Sequence, residues 1–494
     1  MTDSGRFDWW TSLTTGFLQA TVADPDVRRG RTILAPSSWR PRTTSTVGQS
    51  PSSGGVVPES AVVEKDAAAK CRAYLATAQK EFSFEDRRRD LARFTRDFYK
   101  KRLQVRASRS LREVFDALAD PDTLLIEMAH DGQLPHLGIV RLVLKSHSIA
   151  RQDSNALALY LVGNHYTAAM RPENLRFGVP LKGGSPDDVK HPPRIRLGKA
   201  QSHVPFRLLG PPSAHSLFAL RDQVTDFVEN NLSHEAKRGH RTVPNARKRI
   251  LLRLDEEFRM LVLAASEVAS FGDWLIRAQY DLFHRMMGEE ADRIVFLPMA
   301  DLTSLLRPEL TVVAERANDV SAIKAEVGRE QLSAGIEPYT RSAREPPLWA
   351  YCLACYRRTR VPWQPGNALD LVCPFCASHV VLAAEEAWKW VMPDIIGYEA
   401  ALFRLGIAGW VVGSHAPYHP VIERTYARLF GVEMPPKFFL TSVPVFRGIG
   451  DPRDGYSRTR LLRAFLEMDP PALAKGLAGP WSDDPKLRSD LLAA

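Results

Sequence analysis

Four cysteines stand where they could hold one metal ion. Cys352-Leu-Ala-Cys355 and Cys373-Pro-Phe-Cys376 are separated by seventeen residues. Each Cys-x-x-Cys makes a tight knuckle that aims two sulfurs at one point, and two such pairs at this spacing match a tetrahedral zinc ribbon. Redox pairs and disulfides are the competing uses. Four thiolates leave no open coordination position, so the zinc is expected to be structural. Histidines form the second group. His136 and His165 each fall just after an apolar stretch that reads as a strand, and His415 with Tyr418 follows another. Ligands of parallel sheets sit at the carboxyl ends of strands. An imidazole there could bind substrate or move a proton near neutral pH. A helix-start or core histidine bonded to backbone is the alternative at each position. Asn164, beside His165, could hydrogen-bond a polar substrate.

The elements that must position these residues show in the apolar pattern. Residues 123–131 begin as a buried strand, Gly132-Gln-Leu-Pro135 is a turn, and His136–Ala150 is a helix with Leu137, Val140, Val143 and Leu144 inward. Ala156–Val162 is the next strand and ends at Gly163-Asn164-His165-Tyr166. Strand, crossover helix and strand make a βαβ unit and hence a parallel sheet. Residues 216–290 are long helices, Arg293–Pro298 is a strand, and a charged helix follows to about residue 330. Beyond the ribbon, Trp388–Leu405 is expected to be helical with Pro393 interrupting it. Ala408–Gly413 is then a strand leading through Ser414-His415-Ala-Pro-Tyr418 into a helix, Val421–Phe430. If both strand–loop–helix units belong to one sheet, His136, His165, His415 and Tyr418 should line one cleft.

Composition bounds the rest. With 494 residues, 45% of them apolar and 25% charged, the chain is an ordinary globular protein of several domain-sized units. Lys and Arg exceed Asp and Glu by 66 − 57 = 9. That mild excess suits anionic ligands or simply a charged surface. Arg87-Arg-Arg89 and Lys100-Lys-Arg102 are expected on the solvated faces of helices, with a nucleic-acid patch as the alternative. Only Cys71 lies outside the ribbon, which points to a reducing cytoplasm. No apolar run is long enough to span a membrane, and the first residues lead into no secretory signal.

Three stretches together resemble the bacillithiol-type cysteine ligase family, whose core is like that of the class I aminoacyl-tRNA synthetases. Ile126-Glu-Met-Ala-His-Asp-Gly132-Gln133-Leu-Pro-His136, with the helix after it, is similar to the family's strand and Gly-Gln loop. Leu159-Tyr-Leu-Val-Gly-Asn164-His165-Tyr166 resembles a strand ending in a histidine-containing segment. Gly409-Trp-Val-Val-Gly413-Ser414-His415-Ala-Pro-Tyr418 resembles a Gly-rich loop and its tyrosine. His136-Leu-Gly138-Ile139 resembles the synthetases' nucleotide-binding signature without its second histidine, and Gly455-Tyr-Ser-Arg458-Thr-Arg460 has arginine where the late signature loop has lysine.

The resemblance implies a Rossmann-like parallel α/β sheet with helical insertions, and an ATP-dependent ligase. That ligase would join an amino acid, cysteine in the family, to an amine-bearing small molecule through a nucleotide-activated carboxylate. ATP with Mg²⁺ would be the cofactor and tRNA a conceivable partner; neither DNA nor a membrane is expected. His136, His165 and Arg141 would act in catalysis. Gly132, Gln133, Gly138, Lys145, Asn164, Tyr166, Gly413, Ser414, His415, Tyr418 and Arg458 would hold substrate or nucleotide, with a solvated surface charge as the alternative for Lys145 and Arg458. A synthetase-like RNA-binding or regulatory protein without catalysis is the second reading. The expected organisation is an arm at 1–60, whose Pro- and Ser-rich stretch 34–60 is flexible, a helical lead-in and first half-core at 61–215, a mostly helical region at 216–345, the ribbon at 346–382, and the second half-core with C-terminal helices at 383–494.

Overall fold

The computed structural model describes residues 66–134, 137–177, 193–237, 243–333, 347–413 and 419–440. The arm at 34–60 and residues His136, Ser414, His415, Tyr418, Arg458 and Arg460 lie outside them.

Three helices lead in: α1 (Ala67–Glu81), α2 (Glu85–Lys101) and α3 (Arg109–Ala119). Then β1 (Leu124–Asp131), α4 (Leu137–Ala150) and β2 (Ala156–Gly163) form the expected βαβ unit. The long helices α5 (Ala214–Lys237), α6 (Val243–Glu267) and α7 (Phe271–Met287) precede β3 (Ile294–Pro298), and α8 (Arg307–Glu315) and α9 (Ala317–Ser333) follow it. The ribbon holds β4 (Leu348–Tyr351), β5 (Arg358–Arg360), β6 (Leu369–Val372), β7 (His379–Leu382) and β8 (Val391–Pro393). The chain returns through α10 (Ile395–Leu402), β9 (Ile407–Gly413), α11 (His419–Thr425) and β10 (Lys437–Leu440).

The central sheet is parallel throughout, in the order β10-β9-β1-β2-β3. This is a doubly wound order, and its direction of growth reverses between β1 and β9. β3, from within the 216–345 stretch, is one edge of the sheet. Every residue of β2 and β3 is buried, as expected where helices cover both faces of a parallel sheet. β1 and β2 pair over their whole length, from Leu124↔Ala156 to Asp131↔Gly163. β1 and β9 pair only from Leu125↔Ile407 to Glu127↔Trp410, with an irregular step after Leu125. Beyond Glu127 the two strands part, and β9 continues against β10 as far as Gly413↔Leu440. The sheet therefore splays at its carboxyl edge where the strand order reverses.

Two expectations need correction. Trp388–Leu405 is not one interrupted helix: Leu348↔Pro393 to Ala350↔Val391 pair antiparallel, and α10 starts after Pro393, capped by Asp394. Proline has no N–H for a helix interior but is tolerated on an edge strand such as β8. Nor is Arg87-Arg-Arg89 a uniformly solvated run. Arg88 is fully buried, and its Nη2 donates to the carbonyls of Thr123 (2.6 Å) and Gly406 (3.1 Å). No helix among the described residues is long and apolar enough to cross a membrane.

Candidate functional site

The ribbon gathers its four cysteine sulfurs with two copies of the same knuckle. The amide of Cys352 donates to Arg357 O (3.0 Å) and that of Cys373 to Ser378 O (2.9 Å). Tyr356 N returns to Cys352 O, and Ala377 N to Cys373 O, both at 2.9 Å. Tyr356 and Ala377 take the left-handed conformation, at φ 58° and 57°, that closes each turn. The amides of Ala354 and Phe375 point at the sulfurs of Cys352 and Cys373. All four sulfurs lie within 4.8 Å of one another, with Cys352–Cys376 and Cys355–Cys373 at 3.6 Å. A tetrahedral ion with metal–sulfur bonds of about 2.3 Å needs sulfurs about 3.8 Å apart. None of the four cysteines is in a disulfide, and the set can hold a metal ion.

The ribbon is joined to the carboxyl edge of the sheet. Tyr351, the last residue before Cys352, is buried, and its hydroxyl donates to the His165 carbonyl at the end of β2. The Arg358 guanidinium, on the strand paired with Tyr351, bonds the same hydroxyl. Trp349 packs against two of the ribbon's arginines: Arg358 Cζ is 4.3 Å and Arg360 Cζ 4.1 Å from its ring centroid. Beyond β2, Arg207 N donates to Asn164 O and Phe206 N to Tyr166 O, each at 2.9 Å. The Tyr166 hydroxyl donates to Asp131, and Arg171 pairs with Asp131 at 3.3 Å while lying over the Tyr166 ring. Gln133 Nε2 and His130 Nδ1 are 3.1 Å apart. Arg102 spans Asp273 (2.7 Å) and Asp301 (3.2 Å) behind them.

Several expected roles change on this geometry. His165 is 8% exposed, and burial, with the charges of Arg358, Arg207 and Arg171, holds its pKa down at about 3. It is a neutral ring at physiological pH and far too weak a base to titrate there. Asn164 is fully buried; its amide donates to Asp301 (3.0 Å) and accepts from Ala300 N (2.9 Å), so it ties the end of β2 to the end of β3 and is not open to substrate. Gly132 and Gly163 make room for the chain itself. A Cβ on Gly132 would stand 2.7 Å from Gly163 O, and one on Gly163 3.0 Å from the Tyr166 ring. Lys145 is buried on α4, not a solvated charge. Gly138 and Arg141 lie on α4, and Gly413 ends β9 opposite Leu440 of β10. β9, β1 and β2 are consecutive parallel strands of one sheet, while the cleft expected from His136, His165, His415 and Tyr418 involves three residues that lie outside the described ones.

The chain matches no protein-family model and no curated protein. The site must therefore be judged on its own chemistry.

Sequence reasoning missed most of the charged members. Arg171 and Arg207 sit in irregular segments without periodicity, and Arg358 lies in a ribbon strand that by itself shows only a metal site. It also passed over a pair of buried carboxyls below the splay. Glu127, on the last β1–β9 rung, and Glu399, on α10, are buried with no partner for one oxygen each. Burial pushes Glu399 up to about 8, and burial with the nearby Glu399 charge pushes Glu127 well above the carboxylate range. The pair thus retains at least one proton at neutral pH.

Proposed function

We propose that this protein is an amide-bond-forming ligase that joins an amino acid, cysteine by the resemblance, to an amine-bearing small molecule through a nucleotide-activated carboxylate. The observation that carries it is the strand order. Two of the three segments that resemble the cysteine ligases, at the ends of β1 and β9, are far apart in sequence yet lie on neighbouring strands at the reversal point. Doubly wound sheets bind nucleotides there. ATP with Mg²⁺ fits that crevice by class, and acyl activation would need alignment together with positive charge at the developing negative charge. The four cysteines would hold zinc, which suits an all-thiolate tetrahedron and serves structure, not reaction. Their free thiols fit a reducing cytoplasm.

A second reading, a synthetase-like RNA-binding protein without catalysis, is favoured by one feature. The ribbon exposes Phe375 (53%) with the Arg357 guanidinium over its ring, and it also exposes Val372 and Val381. Exposed aromatic and arginine groups are what unpaired bases stack on. ATP–pyrophosphate exchange, run with each standard amino acid and with and without tRNA, separates the two. The ligase reading expects exchange with one amino acid and no need for tRNA. No exchange with any amino acid, alongside RNA binding, would replace it with the second reading.

A further inference from the structure

The two knuckles of the ribbon meet unlike surroundings. The first faces the body. Tyr356 packs on Trp390 with ring centroids 6.5 Å apart, and Trp390 in turn packs on the buried Ala300, Tyr351 and Met392. The second faces water: Pro374, Phe375, Cys376 and Ala377 are all exposed. Cys376 is thus the open sulfur of the four, with Cys355 half-buried and Cys352 and Cys373 buried. Its Sγ is 3.6 Å from Cys352 Sγ. Ser378 Oγ lies 3.1 Å from the Cys352 sulfur and 3.2 Å from that of Cys376, so one hydroxyl marks the side of the cage that this pair shares. The fifth cysteine stands in contrast. Cys71 is fully buried on α1, and a Cβ on Gly409 would be 2.6 Å from its sulfur. Metal coordination strips the proton from a thiol, so a zinc-bound Cys376 is a thiolate near neutral pH. Thiolate character and exposure together decide which sulfur an oxidant attacks.

We infer that Cys376 is a site of oxidative modification, attacked by hydrogen peroxide and resolved by Cys352 as a disulfide that expels the metal. In the first step the Cys376 sulfur takes an oxygen from the peroxide: an S–O bond forms, the O–O bond breaks, and hydroxide leaves. In the second, the Cys352 thiolate attacks the Cys376 sulfur: the S–S bond forms, the S–O bond breaks, and a second hydroxide leaves. Solvent protons convert both hydroxides to water. The thiolate pair loses two electrons and the peroxide gains them. Two sulfurs joined to each other no longer serve as thiolate ligands, so the ion is left with Cys355 and Cys373 and departs. Cys352 directly follows Tyr351, whose hydroxyl donates to the His165 carbonyl, so the disulfide forms next to the ribbon's hold on the end of β2. Both steps rest on the zinc reading of the four cysteines, and neither needs the ligase reading.

Treating the zinc-loaded full chain with hydrogen peroxide, and following the metal with a chromogenic chelator, tests this. Zinc should be released, and peptide mapping at half release should show Cys352 joined to Cys376 with Cys71 still reduced. Dithiothreitol with added zinc should restore the metal content. Cys376→His keeps a zinc ligand in a Cys₃His set but removes the exposed sulfur, and should slow release about tenfold or more. Cys355→His makes the same exchange at the half-buried position and should release zinc close to the wild-type rate. Should Cys376→His fail to hold zinc, the wild-type map decides. A first disulfide that omits Cys352 or Cys376, or release at the wild-type rate from zinc-loaded Cys376→His, would overturn the site. A chain that holds no zinc before peroxide would remove the zinc reading and the site with it, and would leave the ligase reading untouched.

Discussion

Replacing Cys373 by serine is expected to strip the metal from the chain and release the ribbon from the sheet. Structural zinc contributes on the order of 10–16 kcal/mol of binding free energy in small zinc modules. The ribbon's outer hairpin pairs only Leu369–Val372 with His379–Leu382 and leaves Val372 and Val381 exposed. What docks it is Leu369, Leu371 and Trp363, which join the main core. Without the cage, the knuckle turns at Tyr356 and Ala377, both at positive φ, lose the constraint that offsets their strain. Elemental analysis should fall from about one zinc per chain to near zero, as a closed four-thiolate site implies. Limited proteolysis should then gain cuts between residues 352 and 382 that the wild-type protein resists. A Cys373→Ser protein with full zinc content and an unchanged melting curve would contradict this.

The second large effect is expected at Asp394. Its Oδ2 lies 2.7 Å from Lys324 Nζ and 3.0 Å from Arg360 Nη1, while its Oδ1 accepts from Gly397 N at 2.9 Å and caps α10. One carboxylate thus joins α9, the ribbon strand β5 and the helix leading to β9. The Lys324 and Asp394 side chains are 0% and 2% exposed. Asp394→Ala would leave a buried ammonium without its anion, at a cost of about 3–5 kcal/mol. Asp394→Asn keeps the cap but not the charge, so it should also lose stability, by less. Burial pushes the Asp394 carboxyl up, but the charges and hydrogen bonds of Lys324, Arg360 and Gly397 outweigh it and hold the pKa below 3.8. The sign is that of a depressed acid: the contribution is present above the unfolded value and is lost as pH falls through the folded one. The stability gap between wild type and Asp394→Asn should narrow below about pH 4. Urea unfolding measures both effects, and a loss under about 1 kcal/mol for Asp394→Ala would show the ion pair to be incidental.

What was legible in the chain follows from the range of each signal. β1, α4 and β2 are local, with apolar runs and a helical period that name them without help from elsewhere. The metal cage is local too, since its four ligands lie within one short ribbon. β8 was not legible, because Val391-Met-Pro393 is too short to show alternation and becomes a strand only by pairing with Leu348–Ala350. The placement of β9 against β1 depends on burial over hundreds of residues, which no window of sequence contains. At the site, residue type misled. Asn164, Gly132 and Gly163 look like ligand-contacting residues but pack the strand ends together, whereas Arg358 looks like ordinary surface charge and bonds the buried Tyr351 hydroxyl that holds the ribbon against the end of β2.

The most direct measurement of the proposed reaction site is a crystal structure of the protein grown with ATP, Mg²⁺ and the amino acid that supports exchange. The nucleotide should lie at the carboxyl edge of the sheet, between the ends of β1 and β9, with the amino acid beside it. Nucleotide bound at the opposite edge or on the ribbon's outer face, with the β1–β9 crevice holding neither ligand, would contradict the account.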